Sequence, residues 1–179
     1  MESGSLWIQV VVLVILVILS GFFSASETAL MSISKMKIRH LKEEGVRGAN
    51  VVEKITSEPK KLLSTILVGN NVVNIAATSI STSLLLSLFG SQGVAMSTAI
   101  MTIIILVFGE VTPKTLGSNN KERVCLSVAK IINILIIVMT PIVFVMNLIT
   151  TIIFKIFGIK DDDPKSLVTE EELKLMVNV

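Results

Sequence analysis

Two acids, Glu27 and Glu110, are the only ionisable residues in the first three long apolar stretches of the chain; the fourth carries Lys130. A carboxylate at membrane depth is costly, which marks both as functional candidates. Each has polar company at helical spacing. Ser20, Ser24 and Glu27 fall at i, i+4 and i+7, on one face of a first helix. A second stretch carries GNNVVN, with Asn70 and Asn74 one turn apart, Asn71 beside them, and Thr78 and Ser81 continuing the stripe. In the third, Gly109 and Glu110 precede Pro113, which has no N–H to return to the Gly109 carbonyl and so frees it.

The donors are carboxylates, amides, hydroxyls and a carbonyl. Such oxygen sets suit hard cations such as Mg2+, whereas zinc and copper prefer nitrogen and sulfur. The single Cys125 excludes an internal disulfide, and the one histidine, His40, sits among basic residues, so no nucleophile–base pair is visible and an enzyme is not expected. Each residue also has a plainer reading. Serine and threonine in membrane helices bond back to the i−4 carbonyl, which covers Ser24 or Ser26 taken alone. The asparagines could be interhelical glue. Lys114 could pair with Glu110, neutralising both. Gly69, Ala76 and Ala77 are small enough to let helices approach closely.

The elements that must hold these residues follow from composition and charge. The chain has 179 residues, 51% hydrophobic, with mean hydropathy +0.79, too apolar for an ordinary soluble domain. Residues 5–34 form a first segment; they carry no basic n-region, so an uncleaved membrane helix is expected and not a signal peptide. At 1.5 Å per residue it would run about 45 Å, beyond a hydrocarbon core of roughly 30 Å, and must tilt or extend into the interface. Trp7 is the one strong interfacial anchor. All 16 Lys and Arg lie in 35–61 or 114–174. Positive-inside places 35–61 in the cytosol, with the N-terminus outside. Met36, Ile38 and Leu41 among basic residues suggest a short amphipathic helix against the inner leaflet, interrupted at Gly45 and Gly48. Lacking base-stacking aromatics, this loop is not a nucleic-acid surface. Ser57 is the expected N-cap of a second crossing, 61–89, with Pro59 in its first turn. LFGSQG turns the chain, and 93–109 returns to the cytosol.

The stretch 124–157 has basic residues at both flanks and is divided by Pro141. A bent belt dipping into the inner leaflet fits both; a fourth full crossing is the alternative. Residues 1–160 then make a transmembrane domain and 161–179 the start of a cytosolic helical linker, with Thr169 and Glu172 at capping-box spacing. The helix pattern runs to Val179, which suggests one piece of a longer protein. The expected class is an all-α membrane protein: three transmembrane helices, a Pro-bent juxtamembrane belt helix and a short cytosolic amphipathic segment.

SGFFSASETALMSIS, LLSTILVGNNVVNIAAT and FGEVTPKTLG, in that order over about residues 5–175, resemble the membrane domain of the CorC/CorB and CNNM (cyclin M) magnesium transporters. The resemblance implies a homodimer in the cell membrane, with three crossings per subunit and a belt-like helix. It implies Mg2+ export, with Na+ as the proposed coupling ion, and cytosolic CBS domains that bind nucleotide. Carried across by motif, the metal set is Ser24, Asn70 with Asn74 a turn on, Gly109 through its carbonyl, and Glu110. Ser20, Ser26, Glu27, Asn71, Pro113 and Lys114 are assigned to coupling-ion or gating roles, Glu27 by its place in the first motif. The mechanism expected is an inward-open cavity that admits Mg2+, exchange of part of its water for these oxygens, and rearrangement about Pro113. Two rivals stand beside it: a dimeric Mg2+ sensor that regulates a partner without transport, and a sodium or proton transporter.

Overall fold

The computed structural model describes residues 3–157, and the expected linker helix near Thr169 lies outside them. The described residues are helical, joined by short turns, with no strand among them. They fall into two units, one ending at Thr140 and the other beginning at Pro141.

Helix α1 (Ser3–Ser32) is the unbroken Val/Leu/Ile run of the first segment. Its two halves differ. Trp7, Ile8, Val11, Val14, Ile15 and Ile18 are exposed, as side chains facing lipid are, while Ser20, Phe23, Ser24, Ser26, Ala29 and Leu30 toward its end, and Ile33 just past it, are buried. Ser34 caps α2 (Lys35–Glu43), accepting from the Lys37 N–H at 3.2 Å. Gly45 and Gly48 adopt φ of +70° and +97°, where a glycine backbone carries no Cβ penalty, and turn the chain into α3 (Ala49–Thr56).

The basic segment differs from its sequence reading. Ile38 and Leu41 do not face lipid. They join Ala49, Val52 and Ile55 of α3 in a core with Leu62, Ile66, Cys125, Val128, Ala129 and Ile132. Only Met36 is left exposed. Burying such aliphatic side chains is worth about 1.5–3 kcal/mol each. Lys37–Glu122 (3.2 Å) and Lys42–Glu53 (2.6 Å) ion pairs lie over this core. Both are surface pairs and contribute little. Helix α3 itself was not foreseen, because eight residues between glycines and a proline give little periodicity to read.

Helix α4 (Pro59–Phe89) begins one residue later than the Ser57 cap predicts. Glu58 is the N-cap and Pro59 the first residue, while Ser57 ends α3, its hydroxyl donating to the Lys54 carbonyl. Gly90, at φ +62°, closes α4 and leads directly into α5 (Gln92–Ile104). The third apolar stretch then changes character: Ile105–Val111 is π-helical, and α6 (Thr112–Asn119) follows with Pro113 in its first turn. The last stretch, read from sequence as a belt divided at Pro141, is helical from Lys121 to Ile156 with Pro141 inside (α7). By length and composition four helical stretches are able to cross a membrane: Leu6–Ser32, Pro59–Phe89, Gln92–Asn119 and Lys121–Ile156.

Candidate functional site

The buried half of α1 meets α4 on one side and the π-helical segment with α6 on the other. Against α4, the Ser20 hydroxyl donates to Asn70 Oδ1 at 3.2 Å. Three residues on, the Phe23 ring occupies the space over Gly69, where a Cβ would lie 2.6 Å from its Cζ. Gly69 is therefore small to admit an aromatic ring, not a second backbone. Against the third stretch, the approach is closer. A Cβ on Gly109 would sit 2.7 Å from Ser20 Oγ. A Cβ on Gly21 would sit 3.1 Å from both the Phe108 carbonyl oxygen and Pro113 Cγ. A Cβ on Gly117 would sit 2.5 Å from the Ala25 carbonyl oxygen. Contacts advance together along both helices (Ser20 with Gly109, Ala25 with Gly117), so α1 and α6 run in the same sense. Gly21 and Ala25, four apart, meet Pro113 and Gly117, also four apart: a small-residue seam of the kind that lets membrane helices touch.

Ser20, Asn70 and Gly109 thus converge from three helices. Glu110, the next residue in the π-helical segment, is partly buried and makes no hydrogen bond or ion pair among the described residues. A π-helical turn breaks the regular i→i−4 ladder, and such turns occur often at functional sites. Here it falls on the Gly109–Glu110 pair, with the Thr112 N–H bonded to the Val107 carbonyl five residues back, and ends just before Pro113, which has no N–H to give.

Two further oxygens are buried without a partner: Ser24 Oγ and Asn74 Oδ1. Ser24 is fully buried, and its hydroxyl lacks even the back-bond to the i−4 carbonyl that membrane serines ordinarily make. Its neighbour Ser26 does make that bond, to the Phe22 carbonyl at 2.6 Å, and is saturated by it. Asn74 stands one turn beyond Asn70 on the side away from Gly69. Among the described residues no three His, Cys, Asp or Glu side chains gather to share a metal. A cation here would meet mainly neutral oxygens and one carboxylate.

The other residues singled out from the sequence are placed differently. Lys114 pairs with Glu27, Nζ to Oε2 at 3.9 Å, and not with Glu110. Asn71 is exposed. Pro113 is buried against Gly21. Ser20, foreseen in a gating role, is the residue in contact with both Asn70 and Gly109.

A second polar cluster joins the far end of the α4 stripe, Thr78 and Ser81, to a serine of α5 that was not foreseen. Ser97 of α5 donates to Ser81 Oγ of α4 at 2.9 Å, and the single Thr82 proton is shared between the Thr78 carbonyl at 2.8 Å and Ser97 Oγ at 3.1 Å. Ser97 and Ser81 are buried. Gln9 Oε1 of α1 is buried and unpartnered as well. Ser97 and Gln9 escaped the sequence reading because a lone serine or glutamine in an apolar helix carries no spacing signal. The seam could have been found from the four-residue spacing of Gly21–Ala25 and Pro113–Gly117.

Long apolar helices, lipid-like exposure on their outer faces and buried oxygen donors between them define a multi-pass helical membrane protein. Residues 11–179 match the family model of the cyclin M transmembrane N-terminal domain, and the chain belongs to that family. It is 39% identical over 178 residues to a UPF0053 protein of Haemophilus influenzae, covering 99% of this chain and 42% of that protein. It is 38% identical over 161 residues to the UPF0053 inner membrane protein YfjD of Escherichia coli, covering 89% and 38%. A chloroplastic DUF21 domain-containing protein of Arabidopsis thaliana is 36% identical over 169 residues, covering 94% and 26%. The chain therefore spans about two fifths or less of the length of these relatives. The family is one of membrane domains and not a recognised enzyme family.

Proposed function

We propose that this chain is the ion-conducting membrane domain of a magnesium transporter, exporting Mg2+ from the cytosol with Na+ as the coupling ion. The observation that carries the reading is the pair of buried, unpartnered oxygens, Ser24 Oγ and Asn74 Oδ1, on the two helices joined by the Ser20–Asn70 hydrogen bond, with the unpaired Glu110 beside Gly109. Buried polar groups are ordinarily satisfied, and orphaned ones cost about 1–3 kcal/mol each. That cost has a rationale if a cation takes the empty lone pairs during the cycle. Hydroxyl, amide and carbonyl oxygens with a single carboxylate suit a hard ion held weakly enough to leave. Mg2+ sheds water reluctantly, so the bound ion keeps part of its hydration shell.

In this reading Asn70, the Gly109 carbonyl and Glu110 replace some of the water, Ser24 and Asn74 take the ion in turn on either side of the Ser20–Asn70 hydrogen bond, and the π-helical turn before Pro113 supplies the yielding point. α1, α4 and the α5–α6 stretch cross the membrane, with the N-terminus outside. α7 lies along the inner leaflet as a belt, since basic residues flank it at both ends. The unit is a homodimer, and CBS domains of the longer protein would report nucleotide from the cytosol.

The test is Mg2+ efflux from loaded vesicles containing the intact protein. Glu110→Ala should abolish it, at least about 100-fold, because the one unpaired carboxylate is lost. Full efflux by that variant would sink the site. Specific Mg2+ binding without flux in the wild type would make the protein a sensor instead.

A further inference from the structure

The bundle contains two acids, Glu27 and Glu110, and one lysine close enough to choose between them. Lys114 lies four residues after Glu110, a spacing at which a helix ordinarily allows a direct ion pair. It nevertheless reaches across to α1, with Nζ 3.9 Å from Glu27 Oε2, and Glu110 keeps no partner among the described residues. The geometry points to Lys114 as a positioning residue that neutralises Glu27 and so reserves Glu110 as the one free negative charge of the ion site; this rests on the function proposed above.

Three observations support the choice of partner. First, Glu27 shares its helix face with Ser20 and Ser24, so an unneutralised carboxylate there would stand next to the site and compete for its cation. Second, the backbone holds the pair in place. Pro113 and Gly117, on either side of Lys114, are clamped on Gly21 and Ala25 of α1, which sets where the lysine stem leaves α6. Third, the third stretch is π-helical through Glu110 but α-helical from Thr112. The π-helical segment thus ends between the two residues, and the simple one-turn alignment of Glu110 with Lys114 does not hold.

The consequence is a site of limited charge. A divalent cation facing one carboxylate and neutral oxygens is attracted, yet its complex remains positive and able to dissociate. If Glu27 were also unpaired, the second carboxylate would hold the ion more tightly and slow its release. Lys114 therefore sets residence time more than it builds the fold.

The single variants should move affinity in opposite directions, an outcome that general structural damage does not produce. In the intact protein, Lys114→Met should bind Mg2+ about tenfold more tightly by calorimetry and export it about tenfold more slowly from vesicles. Glu27→Gln, which leaves the lysine uncompensated beside the site, should weaken Mg2+ binding by a similar factor. The double variant should bring affinity back to within about twofold of wild type. Weaker or unchanged binding in Lys114→Met, or no restoration in the double variant, overturns the assignment. So does unchanged binding in Glu27→Gln, which needs no folding of a Lys114 variant. Glu110→Ala run alongside separates the two levels: lost flux there with unmoved Lys114 and Glu27 variants defeats only this inference, whereas retained flux defeats the ion site itself.

Discussion

Two polar clusters sit in the same helical bundle and are built oppositely. Around Ser81, Thr82 and Ser97 every buried hydroxyl has a partner: two side-chain hydrogen bonds cross between α4 and α5, and the Thr78 carbonyl takes a third from Thr82. Around Ser20, Ser24, Asn70, Asn74 and Gly109 one hydrogen bond crosses between helices, and two buried oxygens face nothing. Both place fully buried serines between helices. The first cluster is closed and can only hold α4 to α5. The second has acceptor capacity to spare, which the proposed cation would use. Composition therefore does not separate glue from site; saturation does.

That contrast can be broken experimentally. The largest effect should come from Gly109→Val. Its Cβ alone meets Ser20 Oγ at 2.7 Å, so the branched side chain should abolish efflux and lower stability by about 1–3 kcal/mol in chemical unfolding. A fully active, fully stable variant would mean the approach of α1 to the π-helical segment is looser than described. Next is Ser24→Ala. Because its hydroxyl has no partner to lose, stability should hold or rise slightly, while efflux falls about tenfold. A stability loss above about 1 kcal/mol would show that the hydroxyl is bonded and belongs with the closed kind of cluster. The smallest effect is expected at Ser97→Ala, which removes two interhelical hydrogen bonds: about 0.6–1.7 kcal/mol of stability, read by thermal unfolding in detergent, with efflux unchanged. Loss of transport there would erase the distinction.

Much of the arrangement was legible in the residues because membrane helices declare themselves by length. The end of α1 before Lys35 and the close of α4 at Gly90 follow from apolar runs bounded by basic residues and glycine, whereas the change to π-helix at Ile105 left no mark in the apolar pattern. Glu110, Asn70 and Gly109 were legible because charge, amide clusters and a Gly–Pro break are rare in such runs. What stayed hidden depended on pairing. Whether Lys114 turns to Glu110 or Glu27 is decided by the seam at Gly21 and Gly117, not by sequence distance. Whether Ser24 or Ser26 is spent on its own helix is decided by rotamer, and the two look alike on paper. The amphipathic pattern of α2 was read correctly, but its apolar face found α3 and the base of α4 and α7 rather than lipid. Periodicity tells that a face is buried and not against what.

The contact between Gly117 and the Ala25 carbonyl carries one last implication. With no room for even a methyl group between them, the first and third rods are geared together, tooth against notch, over a full turn. Sliding one along the other would drive carbonyl into backbone, so any stroke of the machine that keeps this mesh must carry both as a single piston, leaving α4 as the surface they move against.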